Sequence, residues 1–432
     1  MTVMSLSANK LFYLHLFIAF IILWFEFSFE TGGIYCKLIG PPQFESEWIA
    51  IEAQNTSSDV KVCHGLGAVP ALVEVLVKAV DGPNEGFIFK AIGNGERDDD
   101  INYVYGGVIY IYNEVKVRVM APNRANSVNE VRQGGAIYTG ESPYWRGPNS
   151  QKSLKAEIKV RCWAASTLPA PCFSISNRLM TAGSSILHDT YAEFSHNLKD
   201  YPMLIKVRAK LIDGLDPNWY TDAQGSALIS YEFMQHSHVT GGLKFAYNNE
   251  TIRVWTSSFP SPDGVLFSRN DGWGNDYELT KASTKGYVDV LAWCDLTLSF
   301  EETLRFGPSI TDEVLQIPLP DHFLVSLLFL NAAVIEAEDG PNRGYLFEGV
   351  GSAMTNTFDI GEPCAYGGHI YAYNDTTLRI WRPDHSYGAA ICIPDSMGFG
   401  TNSQASQNGR LIFRVFRAYV SFERINGCIK KD

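Results

Sequence analysis

The chain has 432 residues, 46 % of them hydrophobic, 13 % aromatic and 19 % charged. That length holds about two to four domains, and the composition lies far from the charged, aromatic-poor character of disordered chains. With 35 Lys+Arg against 47 Asp+Glu the net charge is −12, which repels a phosphate backbone and argues against nucleic acid as a partner.

The first element, in residues 1–30, has the charge-then-apolar order of a secretory signal. Lys10 precedes the apolar run Leu11–Phe25, broken only by His15. At about 1.5 Å rise per residue this run is shorter as a helix than a bilayer core of roughly 30 Å. A cleaved signal peptide, and hence an extracellular, secreted protein, is therefore expected. Small residues suited to cleavage are limited to Ser28, Thr31, Gly32 and Gly33. An uncleaved signal-anchor, tethering the chain at the cell surface, is the alternative, and it would be the only contact with a membrane.

Past this segment the chain repeats itself. Gly106-Gly107-Val108-Ile109-Tyr110-Ile111-Tyr112-Asn113 leads after three residues to Val117-Arg118-Val119-Met120. The same frame returns as Gly241-Gly242 through Tyr247-Asn248 to Ile252-Arg253-Val254-Trp255. It returns again as Gly367-Gly368 through Tyr373-Asn374 to Leu378-Arg379-Ile380-Trp381. Upstream, Asp81-Gly82-Pro83-Asn84 recurs as Asp339-Gly340-Pro341-Asn342, with a broken copy in Asp213-Gly214 and Pro217-Asn218. His64 and Pro70 have counterparts in His196 and Pro202, without a clean third copy. A period of this size is that of a domain and not of a solenoid unit. Three tandem modules are expected, at 41–166, 176–300 and 301–424, with Ser166–Pro171 as the first linker.

Within a module, aromatics at alternate positions followed by Asn and a short polar turn predict a β-hairpin. The Gly-Gly pair suits a bulge or a positive φ. With Asp-Gly-Pro-Asn as a second turn, each module reads as an antiparallel β-sandwich or jelly roll, making the chain all-β.

The eight cysteines include no C-x-x-C pair and suit an oxidising compartment. Cys364 and Cys392 are absent from the other copies and flank the third hairpin, so they are expected to bond. Cys63 and Cys162, on an early and a closing strand, are candidates for a second bridge. Cys36, Cys172, Cys294 and Cys428 are left as inter-module or tail bridges. Sequons place candidate glycans on Asn55, Asn249 and Asn374, the last two at equivalent hairpin turns.

No catalytic constellation is recognisable, and the chain is not expected to be an enzyme. His236 and His238 are a close pair confined to copy two. Asp98, Asp99 and Asp100 concentrate the oxygens that calcium favours, but a solvated acidic loop is the preferred account of them and no cofactor is expected. Arg118, Arg253 and Arg379 are candidate ligand clamps. Alternatively, each stem packs on Tyr112, Tyr247 or Tyr373 and each guanidinium meets an acid, the account preferred here. Trp145, Trp273 and Phe399, in Gly-rich loops, either staple the loop to the core or offer a platform to a sugar.

The Pro-preceded strands Pro70–Val75 and Pro202–Val207, with closing strands ending in Cys162-Trp163 and Ala292-Trp293, resemble the H-type lectin module, a small β-sandwich. The repeats also resemble tandem-repeat extracellular proteins of marine invertebrates. The resemblance implies multivalent, lectin-like binding of glycans or extracellular proteins, but it carries no sugar-contacting residue to a numbered position. A structural or adhesive coat protein without a ligand pocket is the alternative.

Overall fold

Strands account for nearly all regular structure, and they are exchanged between the repeats. The computed structural model describes residues 38–95, 104–123, 134–226, 240–260, 264–268, 272–275, 282–306, 315–320, 330–352, 364, 366–386, 388–401 and 404–416. The segment 1–30, Asp98, Asp99, Asp100, His236, His238, Cys36 and Cys428 lie outside them.

Each repeat divides into a half-sheet and a hairpin. In repeat 1 the half-sheet orders Phe44–Glu45, Lys155–Trp163, Leu72–Ala79 and Ile88–Lys90 side by side. Repeat 2 matches it with Phe173–Thr181, Lys285–Trp293, Leu204–Leu211 and Tyr220–Asp222. Repeat 3 does so with Leu298–Phe306, Gly409–Phe416, Asn331–Ala337 and Leu346–Glu348. The hairpins are Ile109–Tyr112 with Lys116–Met120, Leu243–Tyr247 with Thr251–Thr256, and Ile370–Tyr373 with Thr377–Pro383.

No hairpin joins the half-sheet of its own repeat. Hairpin 1 extends half-sheet 2 through Tyr112 opposite Tyr220, and hairpin 2 extends half-sheet 3 through Tyr247 opposite Leu346. Hairpin 3 returns to half-sheet 1 through Tyr373 opposite Ile88, closing the cycle. The three large sheets are thus each built from two repeats, and every pairing named here is antiparallel. The recurring Tyr before Asn marks each seam.

Hairpin 3 still packs over its own repeat. Tyr371 and Tyr373 lie 6.2 Å from Phe413, ring to ring, although Phe413 belongs to a different sheet. Ala333, Ile335, Leu411 and Val415 complete that layer. The second face of the half-sheets is also covered, so Leu72–Ala79 departs from simple alternation, every residue but Lys78 being buried. In Leu204–Leu211 the alternation survives, and Lys206, Arg208 and Lys210 take the half-buried face. Each hairpin turn is closed by its asparagine. The Oδ1 of Asn113, Asn248 and Asn374 accepts the N–H groups two and three residues on, at 2.7–2.9 Å. The Nε2 of His64 and of His196 contacts the carbonyl oxygen of Asn113 or Asn248 at 3.0 Å, which accounts for that repeated histidine.

Two disulfides form among the described residues. Cys364–Cys392 is the bridge expected in repeat 3, and Cys172–Cys294 closes the half-sheet of repeat 2. The expected Cys63–Cys162 bridge is absent. Cys63 is exposed at a sheet edge and Cys162 is buried in the half-sheet of repeat 1, where burial pushes its thiol up to about 12. Strand exchange puts these two cysteines in different sheets. Among the described residues no helix is long and apolar enough to cross a membrane.

Candidate functional site at the repeat junctions

The candidate residues converge on the seams between repeats. Arg118 makes a two-pronged contact with Asp59, one arm at 2.9 Å, and reaches Asp216 of repeat 2 at 3.9 Å. Arg253 donates to Asn342 Oδ1 of repeat 3 at 2.9 Å and lies 3.4 Å from Glu193. Arg379 donates to Asn84 Oδ1 and Pro83 O of repeat 1 at 2.7 and 3.0 Å, and to Gln316 at 3.2 Å. The two strongest sequence motifs, hairpin arginine and Asp-Gly-Pro-Asn turn, therefore meet across each seam. In repeat 2 Asp216 of the broken turn takes the place of the asparagine.

The expected aromatic partners of the arginines are corrected. Arg253 covers the ring of Tyr345 at 4.1 Å and Arg379 that of Phe87 at 4.0 Å, both in the next repeat. Cross-strand partners share a face, and Arg118, Arg253 and Arg379 oppose Ile111, Ala246 and Ala372. Tyr112, Tyr247 and Tyr373, one position on, point the other way. Charge differs between seams. Burial pushes the Glu193 carboxyl up, but the hydrogen bond from Tyr191 and the charge of Arg253 outweigh it and hold it below its usual value. Arg379 has Gln316 where Arg253 has Glu193, and burial lowers its pKa.

The aromatic loops also clasp a neighbour. Trp273 of repeat 2 bridges Pro122 beyond hairpin 1 and donates its Nε1 to Gly107 O at 2.9 Å. Trp145 of repeat 1 pairs with Pro383 of hairpin 3, and Met397 of repeat 3 bridges Ser257 just beyond hairpin 2. The counterpart of the two tryptophans is therefore Met397, and Phe399 is not equivalent to them. Trp145, Trp273 and Met397 are 2–3 % exposed, whereas Phe399 is 46 % exposed, with its N–H donating to Thr190. The sequons are likewise offset by one residue. Asn374 is itself the turn-closing asparagine, whereas Asn249 follows its closing residue Asn248. Asn55 is exposed and caps the turn Thr56–Ser58.

Sequence reasoning passed over one set of residues. Gly93, Gly225 and Gly351 each lie against the backbone of the next repeat in the cycle, at Asp222, Glu348 and Lys90. Asn94, Ser226 and Ser352 follow them and bond to Ser268, Cys392 and Tyr138, again of the next repeat. The only sequence signal is a glycine before a small polar residue, three positions beyond each Lys90, Asp222 or Glu348, with otherwise dissimilar flanks.

These contacts surround a cavity of about 70 Å³ where all three repeats meet. Leu72, Leu204 and Leu330 line it beside Lys90, Asp222 and Glu348, each set supplied by equivalent positions. Lys90 pairs with Glu74 at 2.8 Å and Lys206 pairs with Asp222, which also accepts from Tyr110 and, at 2.9 Å, from Tyr112. Burial pushes both phenols well up, and the Asp222 charge adds to the shift. Burial also raises the Glu348 carboxyl, with Lys206 and Lys90 only partly opposing it.

Repeat 3 carries a titratable group where the others are apolar. His369 stands at the position of Val108 and Leu243 and is fully buried. Gly349 stands where repeats 1 and 2 have Ala91 and Ala223, because a Cβ there would lie 2.6 Å from the ring. Burial depresses His369 to about 3. The unfolded chain therefore takes up this proton first, near the ordinary histidine value. Stability from this group is full above pH about 6.5 and falls at about 1.4 kcal/mol per pH unit on acidification. Glu348 acts in the opposite sense, since acid relieves its buried charge. Urea unfolding from pH 7 to 4 should show a loss that His369→Leu removes. An unchanged acid slope in that variant would contradict the assignment.

Neither a protein-family model nor a curated protein matches the chain.

Proposed function

We propose that the chain is an extracellular, non-enzymatic structural or adhesive protein, a preassembled scaffold of three interlocked repeats. One observation carries this choice over multivalent glycan binding: the repeated arginines and loop tryptophans are engaged in contacts between repeats. A ring 2–3 % exposed offers no face to a sugar, and a guanidinium engaged by its neighbour is costly to free. Two disulfides and the apolar run Leu11–Phe25 support an exported protein. The acidic charge favours solubility and disfavours nucleic acid.

A second reading rests on Phe399. It is exposed beside Ile186 and Leu187, 56 % and 38 % exposed, because its N–H bonds Thr190 at the end of the turn that begins with them. This patch joins repeats 2 and 3, and the positions equivalent to Phe399 hold Gly147 and Asn275, so it suits a protein partner and not threefold avidity. Glycan-array binding and calorimetry on the secreted chain separate the readings. The scaffold predicts no ligand at three equivalents per chain, together with co-fractionation with insoluble extracellular material. A stoichiometry of three would overturn it. Saturable capture of one partner, lost in Phe399→Ser, would instead establish the second reading.

A further inference from the structure

The cavity at the meeting of the three repeats has a charge imbalance that its equivalent positions make easy to follow. Positions 74, 206 and 332 hold Glu, Lys and Ala, and positions 90, 222 and 348 hold Lys, Asp and Glu. Repeats 1 and 2 therefore each close an ion pair on the cavity wall, Glu74 with Lys90 and Lys206 with Asp222. Repeat 3 cannot, because Ala332 stands where a lysine would be needed. Among the described residues no Lys or Arg is in ion-pair contact with Glu348, so the cavity lining carries three carboxylates against two ammonium groups; Arg161, which reaches Glu74 at 3.5 Å from behind the wall, is itself paired with Glu45 at 2.7 Å.

A second observation is independent of charge. Gln224, 4 % exposed, lines the same cavity, and its amide is oriented by the bond from Nε2 to Asn94 O at 3.0 Å. Its Oε1 is buried with no hydrogen-bond partner among the described residues. A buried carbonyl oxygen of this kind is costly unless something donates to it or coordinates it.

We infer that this cavity is a site for one small monovalent cation, an alkali ion or ammonium, held with part of its water shell between Glu348 and Gln224. The cavity of about 70 Å³ has room for an ion together with several waters, each needing about 10–15 Å³. The ligand oxygens, a carboxylate and an amide carbonyl, are hard donors that suit alkali ions. A single excess negative charge in the lining is neutralised by a single positive one, whereas a divalent ion would leave an excess positive charge beside Lys90 and Lys206. No three His, Cys, Asp or Glu residues cluster as a multivalent centre requires, among the described residues. Because Glu348 and Gln224 come from different repeats, the ion would fasten repeat 2 to repeat 3.

Melting curves of the full secreted chain in NaCl, KCl, NH₄Cl and choline chloride, at one ionic strength and neutral pH, test this directly. At about a hundredfold excess over Kd, at least one of the three small cations should raise the melting temperature by about 3–5 °C over choline, and the rise should saturate. Glu348→Gln should fold and lose that difference. Gln224→Leu supplies the same comparison should Glu348→Gln fail to fold. Equal melting in all four salts would overturn the inference, a proton on Glu348 then sufficing to neutralise the wall. So would a cation response that survives in the variant.

Discussion

Replacing Gly351 with alanine should abolish the native fold, or cost more than about 4 kcal/mol, a loss that few single substitutions reach. The reason is space and not backbone conformation, since Gly351 is not among the glycines with positive φ. A Cβ there would lie 1.4 Å from the carbonyl oxygen of Lys90 and 2.5 Å from its carbonyl carbon. These are backbone atoms of the strand that carries the seam with hairpin 3, so they cannot rotate aside as a side chain would. Gly93→Ala and Gly225→Ala meet Asp222 O at 1.9 Å and Glu348 O at 2.1 Å, and should follow the same pattern. Gly67 is the control. It has open space around it but a φ of +69°, so Gly67→Ala should cost only about 1–2 kcal/mol. Secretion yield and urea unfolding measure the contrast. Equal, small losses at Gly351 and Gly67 would show that the backbones separate at little expense.

Arg118→Ala should be the most damaging of the three arginine substitutions, at about 3–5 kcal/mol. Its side chain and that of Asp59 are each 6 % exposed, and removing the guanidinium leaves Asp59 buried without its cation, with Asp216 nearby. Arg253 and Arg379 are half-buried and meet a neutral asparagine on the neighbouring turn, so alanine there should cost only about 1–2 kcal/mol. Double substitution separates a stranded charge from lost packing. Asp59→Asn in the Arg118→Ala background should recover much of the loss, because the carboxylate is then no longer charged. Three equal losses, or no recovery, would show that the stem's packing dominates.

Much of the architecture was legible along the chain. Alternating Tyr110 and Tyr112, the turn asparagines and the Gly-Gly pairs identified hairpins, because side-chain period and turn chemistry act within a few residues. The Cys364–Cys392 bridge followed from two cysteines present in one copy alone. The partner of each hairpin was not legible. On its outer side Tyr112 pairs with Tyr220, and not with the half-sheet of its own repeat, and a strand's alternating pattern records that one face is buried but not which chain segment buries it.

The same limit explains the site. The local sequence marked Arg253 and Asn342 as recurrent, yet only strand exchange makes them neighbours. Phe399 aligned with Trp145 and Trp273 by loop composition, whereas the bridge to the next hairpin selected Met397. Gly351 escaped notice because its requirement is set by Lys90, a residue distant in sequence, pressing on it across the junction. Periodicity, turns and the repeat itself are short-range properties that the residues express wherever they stand. Which repeat each motif grips, and the charge left unpaired on Glu348, are set by long-range packing and exist only once the cycle has closed.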